Sequence, residues 1–156
     1  MVFFLKENLK NYLVLLDIDG TMTPEGSWKV DLVREKEFQK LSKENSIYLC
    51  SNKKNDNRNE AIAKQLGVHY LKTPYRKPNP QILETLPSQD RIRSKVVIGD
   101  KWLTDGWFAK RIGARFIKVE RLVGANEPWW IKVIYKVDDA AGWFLKRLKS
   151  TEIIYK

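Results

Sequence analysis

Apolar and polar positions along the chain fall into two kinds of short block that alternate. The stretch "YLVLLD" (12–17) is apolar at consecutive positions, as in a strand covered on both faces of a sheet. It is followed by "VDLVREKEFQKLSKEN" (30–45), where Leu32, Val33, Phe38 and Leu41 recur near helical spacing behind Asp31. "SIYLCS" (46–51) predicts a second strand, and "NDNRNEAIAKQLG" (55–67) a helix stopped by Gly67. "VHYL" (68–71) is a weaker third strand, and a short helix opens at Pro80 and ends by Pro87. "KVVIGD" (95–100), a helix over 104–114 and "RFIKVE" (115–120) complete the alternation. This order predicts an α/β fold, a Rossmann-like parallel β-sheet sandwiched by helices. Beyond Glu120 the pattern weakens. "WIKVIYKV" (130–137) reads as an edge strand, and "DDAAGWFLKRLK" (138–149) as a short basic helix capped by Asp138 or Asp139.

Length and composition narrow the picture. The 156 residues suit one domain, with a core over about 12–120 and a basic, Trp-rich extension over about 121–156. At 43% apolar and 31% charged, the chain has the profile of a folded protein rather than a disordered one. No apolar run approaches the roughly eighteen residues of a spanning helix. "MVFFLKENLK" is too short, and its charges too late, for a signal peptide. The single cysteine, Cys50, has no internal partner, which points to a reducing cytoplasm. The net charge of +10 favours polyanions: nucleic acid, an anionic membrane face or phosphorylated substrates.

The chemistry gathers where such sheets place it, just past the carboxyl ends of the strands. Asp17, Ser51 and Asp100 each close a predicted strand, and Asp19 follows Asp17 by two residues. That spacing sets both carboxylates on the same side of an extended chain. Gly20 permits a turn with no side chain in the way. A lone Asp at a strand end is ordinarily a turn former or helix cap; three strands converging on polar groups are not explained that way. His69 reads as a satisfied core residue and Cys50 as packing. Lys101 and Arg76 read as solvated neighbours of the motif residues.

The ordered set "DIDGT" (17–21), "SN" (51–52), "RKP" (76–78) and "VIGDKWLTD" (97–105) resembles the four motifs of haloacid dehalogenase-like phosphohydrolases. Within them it looks most like subclass IIIA, the phosphatidylglycerophosphate phosphatase-like group. It departs from that group at Gly20, where asparagine is expected, and in its Trp-rich tail. The resemblance implies a Mg²⁺-dependent phosphomonoester hydrolase. Asp17 would be the nucleophile that forms an aspartyl-phosphate, and Asp19 the general acid and later base. Asp17, Asp100, the Asp19 carbonyl and Asp105 would hold the metal, Asp105 through water unless it instead orients Lys77. Ser51, Lys77, Gly20 and Asn52 would meet the phosphate, and Thr21 would bond within its own loop.

The gaps from Asp19 to Ser51 and from Ser51 to Lys77 are too short for a cap domain, so an open site is expected. Such a site admits a phosphate displayed on something large, or a small one if a partner subunit covers it. Trp102, Trp107, Trp129, Trp130 and Trp143 lie among lysines and arginines. That is the composition of a membrane interface, and also of a nucleic-acid platform; against both stands the reading of these tryptophans as core. Trp102 and Trp28 are expected at the site mouth. The leading expectation is a lipid head-group phosphatase, cytoplasmic or peripheral at a membrane. The alternatives are a phosphatase of nucleic-acid ends or sugar phosphates, and a catalytically silent basic binding module.

Overall fold

The computed structural model describes residues 9–124 and 129–147. Five parallel strands form one sheet in the order β3-β2-β1-β4-β5. They are β1 (Leu13–Leu16), β2 (Ser46–Leu49), β3 (His69–Tyr70), β4 (Lys95–Gly99) and β5 (Arg115–Lys118). The helices are α1 (Leu32–Ser42), α2 (Asp56–Leu66), α3 (Ser88–Arg91), α4 (Trp107–Arg111) and α5 (Trp129–Arg147). A 3₁₀ turn covers Pro80–Thr85, and a wide π turn over Trp102–Gly106 leads into α4.

The consecutive apolar run of β1 is used on both sides. Val14 and Leu16 pack with Phe38 and Ile62, while Leu13 and Leu15 pack with Ile82, Phe108 and Phe116. A strand covered twice needs no alternation, which is why its sequence shows none. The helix signals also appear: Asp31 accepts the Val33 and Arg34 amides ahead of α1, and Gly67 closes α2 in the left-handed region (φ 69°).

Register carries the fold to the site. Leu16 pairs with Leu49 on one side and Ile98 on the other, so β1, β2 and β4 end level. No cap domain interrupts the described residues: between Asp19 and Ser51 lie α1 and β2, and between Ser51 and Lys77 lie α2 and β3.

Four expectations are corrected. Residues 130–137 are not an edge strand but part of the 19-residue α5. The β-branched residues favoured a strand, yet Lys132 and Lys136 stand four apart, a helical spacing, and tertiary docking decides the outcome. That docking uses Asp138, which caps not its own helix but the turn after β4: its carboxylate accepts the Trp102 and Leu103 amides, each at 2.9 Å. Trp102 is buried rather than at the mouth, edge-on to Phe116, while Trp28 is exposed. His69 is exposed, stacked on Tyr48 at the sheet edge. Cys50 is buried as expected. The side chains of Trp129, Trp130 and Trp143 lie outside the described residues.

Candidate active site

The chain leaves β1 at Asp17, whose amide still bonds Ile98, and then folds tightly on itself. The Ile18 carbonyl accepts the amides of Thr21, Met22 and Thr23, and Gly20 sits at φ 81°. A side chain at Gly20 would collide with the Asp100 carboxylate. Here glycine allows both the positive φ and the approach of two loops.

Lys77 is the hub of the site. Its buried ammonium lies 2.6 Å from Asp17 Oδ1 and 2.5 Å from Asp105 Oδ1. Asn52 holds the Lys77 backbone at both ends, accepting its N–H at 2.7 Å and donating to its carbonyl at 2.9 Å. Asn52, expected at the phosphate, therefore spends its amide on positioning Lys77. Asp105 orients Lys77 directly and also accepts the Lys101 amide at 3.1 Å.

Asp17, Asp100 and Asp105 are buried together, each offering a carboxylate oxygen within 4.8 Å of the others. Asp100 Oδ2 accepts Arg121 Nε at 2.5 Å, whereas buried Asp100 Oδ1 has no hydrogen-bond partner. Burial pushes the Asp17 carboxyl up to about 7, against the opposing pull of Lys77. Burial also raises Asp100, with Lys101 the largest opposing charge. Burial alone would lower the Lys77 ammonium, but Asp105 and Asp17 reverse that and hold it charged. Three converging buried carboxylates, one with an oxygen that accepts no hydrogen bond, form a donor set that suits a hard divalent cation.

The sign of the resulting pH effect is fixed. Carboxyls raised in the folded state stabilise it fully below their unfolded value, and that contribution is lost as pH rises through about 7. The metal-free protein should thus lose this contribution to its melting temperature between about pH 4 and pH 7, and a divalent cation should restore it at the upper end. Cation affinity should drop by up to about tenfold per pH unit below 7, as protons compete for the ligands. Thermal melts across a cation titration read both; a melting temperature indifferent to cation at high pH would rule out the cluster as a metal site.

Asp19 is held apart from this trio by a residue that no sequence motif singled out. Arg58, in the first turn of α2 and 1% exposed, donates Nη2 to Asp19 Oδ1 at 2.7 Å and Nη1 to Oδ2 at 3.0 Å. Its Nε bonds the Ser27 carbonyl and its Nη2 also reaches Thr23 Oγ1. The Gly26 amide adds 3.0 Å to Asp19 Oδ1, and Ser51 Oγ lies 3.5 Å from Oδ2. An arginine in a polar stretch such as "NDNRNE" looks solvated; its only signal was its place one helix beyond the strand that ends at Ser51.

The segment after β5 braces the opposite side. The Leu122 amide donates to the Gly20 carbonyl at 2.8 Å, and Lys118 Nζ and Arg121 both donate to the Asp100 carbonyl. Tyr135 of α5 stacks on the Arg121 guanidinium, 3.6 Å from its ring centre. Gly142 lies flat on Trp102, where a Cβ would not fit.

The groups open into a cavity of about 300 Å³, lined by Asp17, Asp19, Glu25, Ser51, Asn52, Lys53, Lys77, Lys101 and Thr104. Lys101, expected to be a solvated neighbour, is part of that wall. A buried carboxylate, a fixed ammonium beside it and a second carboxylate lining the same cavity form an arrangement with the chemistry to bind a phosphoryl group.

A family model described as mitochondrial PGP phosphatase matches residues 5–124. No curated protein matches the chain. Among solved structures it is similar to an uncharacterized protein from Listeria monocytogenes serotype 4b, at 15% identity over 75% of this chain and 85% of that one, with a TM-score of 0.49.

Proposed function

The chain belongs to the mitochondrial PGP phosphatase family, and from that premise we propose that it hydrolyses the phosphomonoester of phosphatidylglycerophosphate through Asp17. The observation that supports this best is Lys77 seated between Asp17 and Asp105 in a cavity lined by three lysines and three carboxylates.

In this reading an Asp17 oxygen attacks phosphorus, forming an aspartyl-phosphate while the bond to the glycerol oxygen breaks. Lys77 holds Asp17 in line and faces the phosphoryl oxygens, and Ser51 Oγ and the loop at Gly20 complete the cradle. Asp19 gives the leaving oxygen its proton, then takes one from the water that attacks the aspartyl-phosphate and releases inorganic phosphate. Oδ2 is the oxygen that exchanges the proton, since Oδ1 is held more tightly by Arg58 and the Gly26 amide. A Mg²⁺ ion bound by Asp17 and Asp100, with the Asp19 carbonyl and Asp105 nearby, would neutralise charge on the transferring group. Lys53 and Lys101 on the cavity wall suit the second, diester phosphate of such a lipid, which a simple sugar phosphate lacks.

The cytoplasm expected from the lone cysteine differs from the compartment in the family's description. Cys50 cannot decide between them, being buried with its thiol pushed up to about 11 by burial. Among the described residues no helix is long and apolar enough to cross a membrane.

The test is phosphate release from detergent-dispersed phosphatidylglycerophosphate, 3′-phosphorylated DNA and sugar phosphates, with Mg²⁺ and with chelator. Release from the lipid, abolished by chelator, is expected. Turnover of DNA ends or sugar phosphates with none of the lipid would remove the substrate assignment. Silence on every ester would leave a basic binding module.

A further inference from the structure

Over residues 133–142, where the side chains of α5 are described, polar and small residues face inward and aliphatic ones outward. Its inward positions are half-buried Tyr135, buried Asp138 and buried Gly142, which meet Arg121, the Trp102 and Leu103 amides and the Trp102 ring. Its outward face carries Val133, Ile134 and Val137, exposed by 50%, 51% and 57%. These three fall within about 100° of arc at 100° per residue, so they form one stripe. A surface helix ordinarily presents the reverse pattern, and a contiguous apolar stripe marks a surface that meets something.

The stripe does not end with α5. Asp138, next to Val137, bonds the Leu103 amide at 2.9 Å, so Leu103 lies beside it. Leu103 and Trp107, four residues apart along one helical path, are each 43% exposed. Thr104, between them, lines the catalytic cavity. Exposed apolar side chains thus stand both on α5 and on the turn at the rim of the site to which Asp138 fastens it. Exposed cations border it: Lys136 on α5, and Lys110 and Arg111 on α4.

We propose that this face, formed by Val133, Ile134 and Val137 of α5 with Leu103 and Trp107, docks the protein on an anionic phospholipid bilayer. Aliphatic and indole side chains enter the interface while lysine and arginine meet lipid phosphates, the pattern of a helix that lies on a membrane rather than through it. Charge argues against a second copy as the occupant. A two-fold contact would set the same cationic border against itself in a chain of net charge +10. The choice of a lipid occupant rests on the lipid-phosphatase reading. The geometry then adds a function: docking brings the cavity rim at Thr104 against the head-group layer, so the substrate need not leave the bilayer.

The experiment is flotation of the full chain with phosphatidylcholine vesicles, with and without phosphatidylglycerol. It is run beside an Ile134→Glu/Val137→Glu variant and an assay on water-soluble p-nitrophenyl phosphate. Wild type should float with the anionic vesicles and far less with neutral ones. The variant should bind on the order of tenfold or more weakly, the scale set by two aliphatic side chains withdrawn from an apolar medium, while its melting temperature and soluble turnover match wild type. Equal binding by variant and wild type overturns the proposal, as does wild type that ignores anionic vesicles while hydrolysing the soluble ester. A wild-type dimer that the variant dissolves would assign the face to a second copy instead. Vesicle binding without turnover of any ester would keep the docking face and remove the phosphatase reading.

Discussion

Asp17→Asn is expected to lower phosphate release by on the order of a thousandfold or more without unfolding the protein. The amide keeps the shape of the carboxylate but cannot form the aspartyl-phosphate, and it takes a ligand from the Asp17, Asp100 and Asp105 trio. Lys77 keeps Asp105 at 2.5 Å, so its charge stays paired. The wild-type carboxyl is pushed up to about 7 by burial, so a neutral group there removes a cost that the folded state carries above that pH. The metal-free variant should accordingly melt no lower than wild type near pH 8, and the pH and cation dependence of wild-type melting should shrink in it. Kinetics with melts at two pH values decide the matter. More than about a tenth of wild-type turnover would remove Asp17 from the role of nucleophile.

The largest stability effect should come from Arg58→Met. The Arg58–Asp19 pair is buried at 1% and 7% side-chain exposure, with two charge-assisted bonds. Removing one partner of a buried pair costs about 3–5 kcal/mol, because the other charge stays behind unpaired. For a chain of this size that lowers the melting temperature by roughly 6–20 °C. Turnover should fall by on the order of a hundredfold, since Asp19 loses the support that aims it. The double variant Arg58→Met/Asp19→Leu separates the two effects: it should regain much of the lost stability and none of the activity. If Arg58→Met melts within about 2 °C of wild type, the pair does not carry the local structure.

Much of this site is legible in the amino-acid order, and the reason is local. Strands covered on both faces leave consecutive apolar runs, and a polar residue ending such a run stands out, as Asp17, Ser51 and Asp100 do. The neighbour relation of β1 and β4, which brings Asp17 to Asp100, is a crossover past β2 and β3 that the alternation of elements leaves open. What stayed hidden depends on partners far away in the chain. Arg58 reaches across 39 residues to Asp19. Arg121 reaches back 21 residues to Asp100, and Asp138 spans 36 to cap the Trp102 amide. Arg58 sits in a polar stretch that equally fits a solvated surface, and Arg121 and Asp138 lie beyond the four motifs with nothing local to mark their partners. Asn52 stood out as a phosphate ligand and it does line the cavity, but its hold on the backbone of Lys77 could not be read from its place beside a motif serine. Residues 130–137 failed for a related reason: their β-branched side chains speak for a strand only until Asp138 is docked.

The brace formed by Arg121 and α5 also orders events in time. A ribosome delivers β1, β2 and β4, with Asp17, Ser51 and Asp100, well before it delivers Asp138. Until then the amides of Trp102 and Leu103 have no carboxylate to accept them, and Trp102 has no Gly142 to lie against. The strands can therefore pair before the turn that follows Asp100 gains its cap. The helix with the outward apolar face is the last of these pieces to leave the ribosome, so the turn beside Asp100 gains its cap only when the chain gains that face.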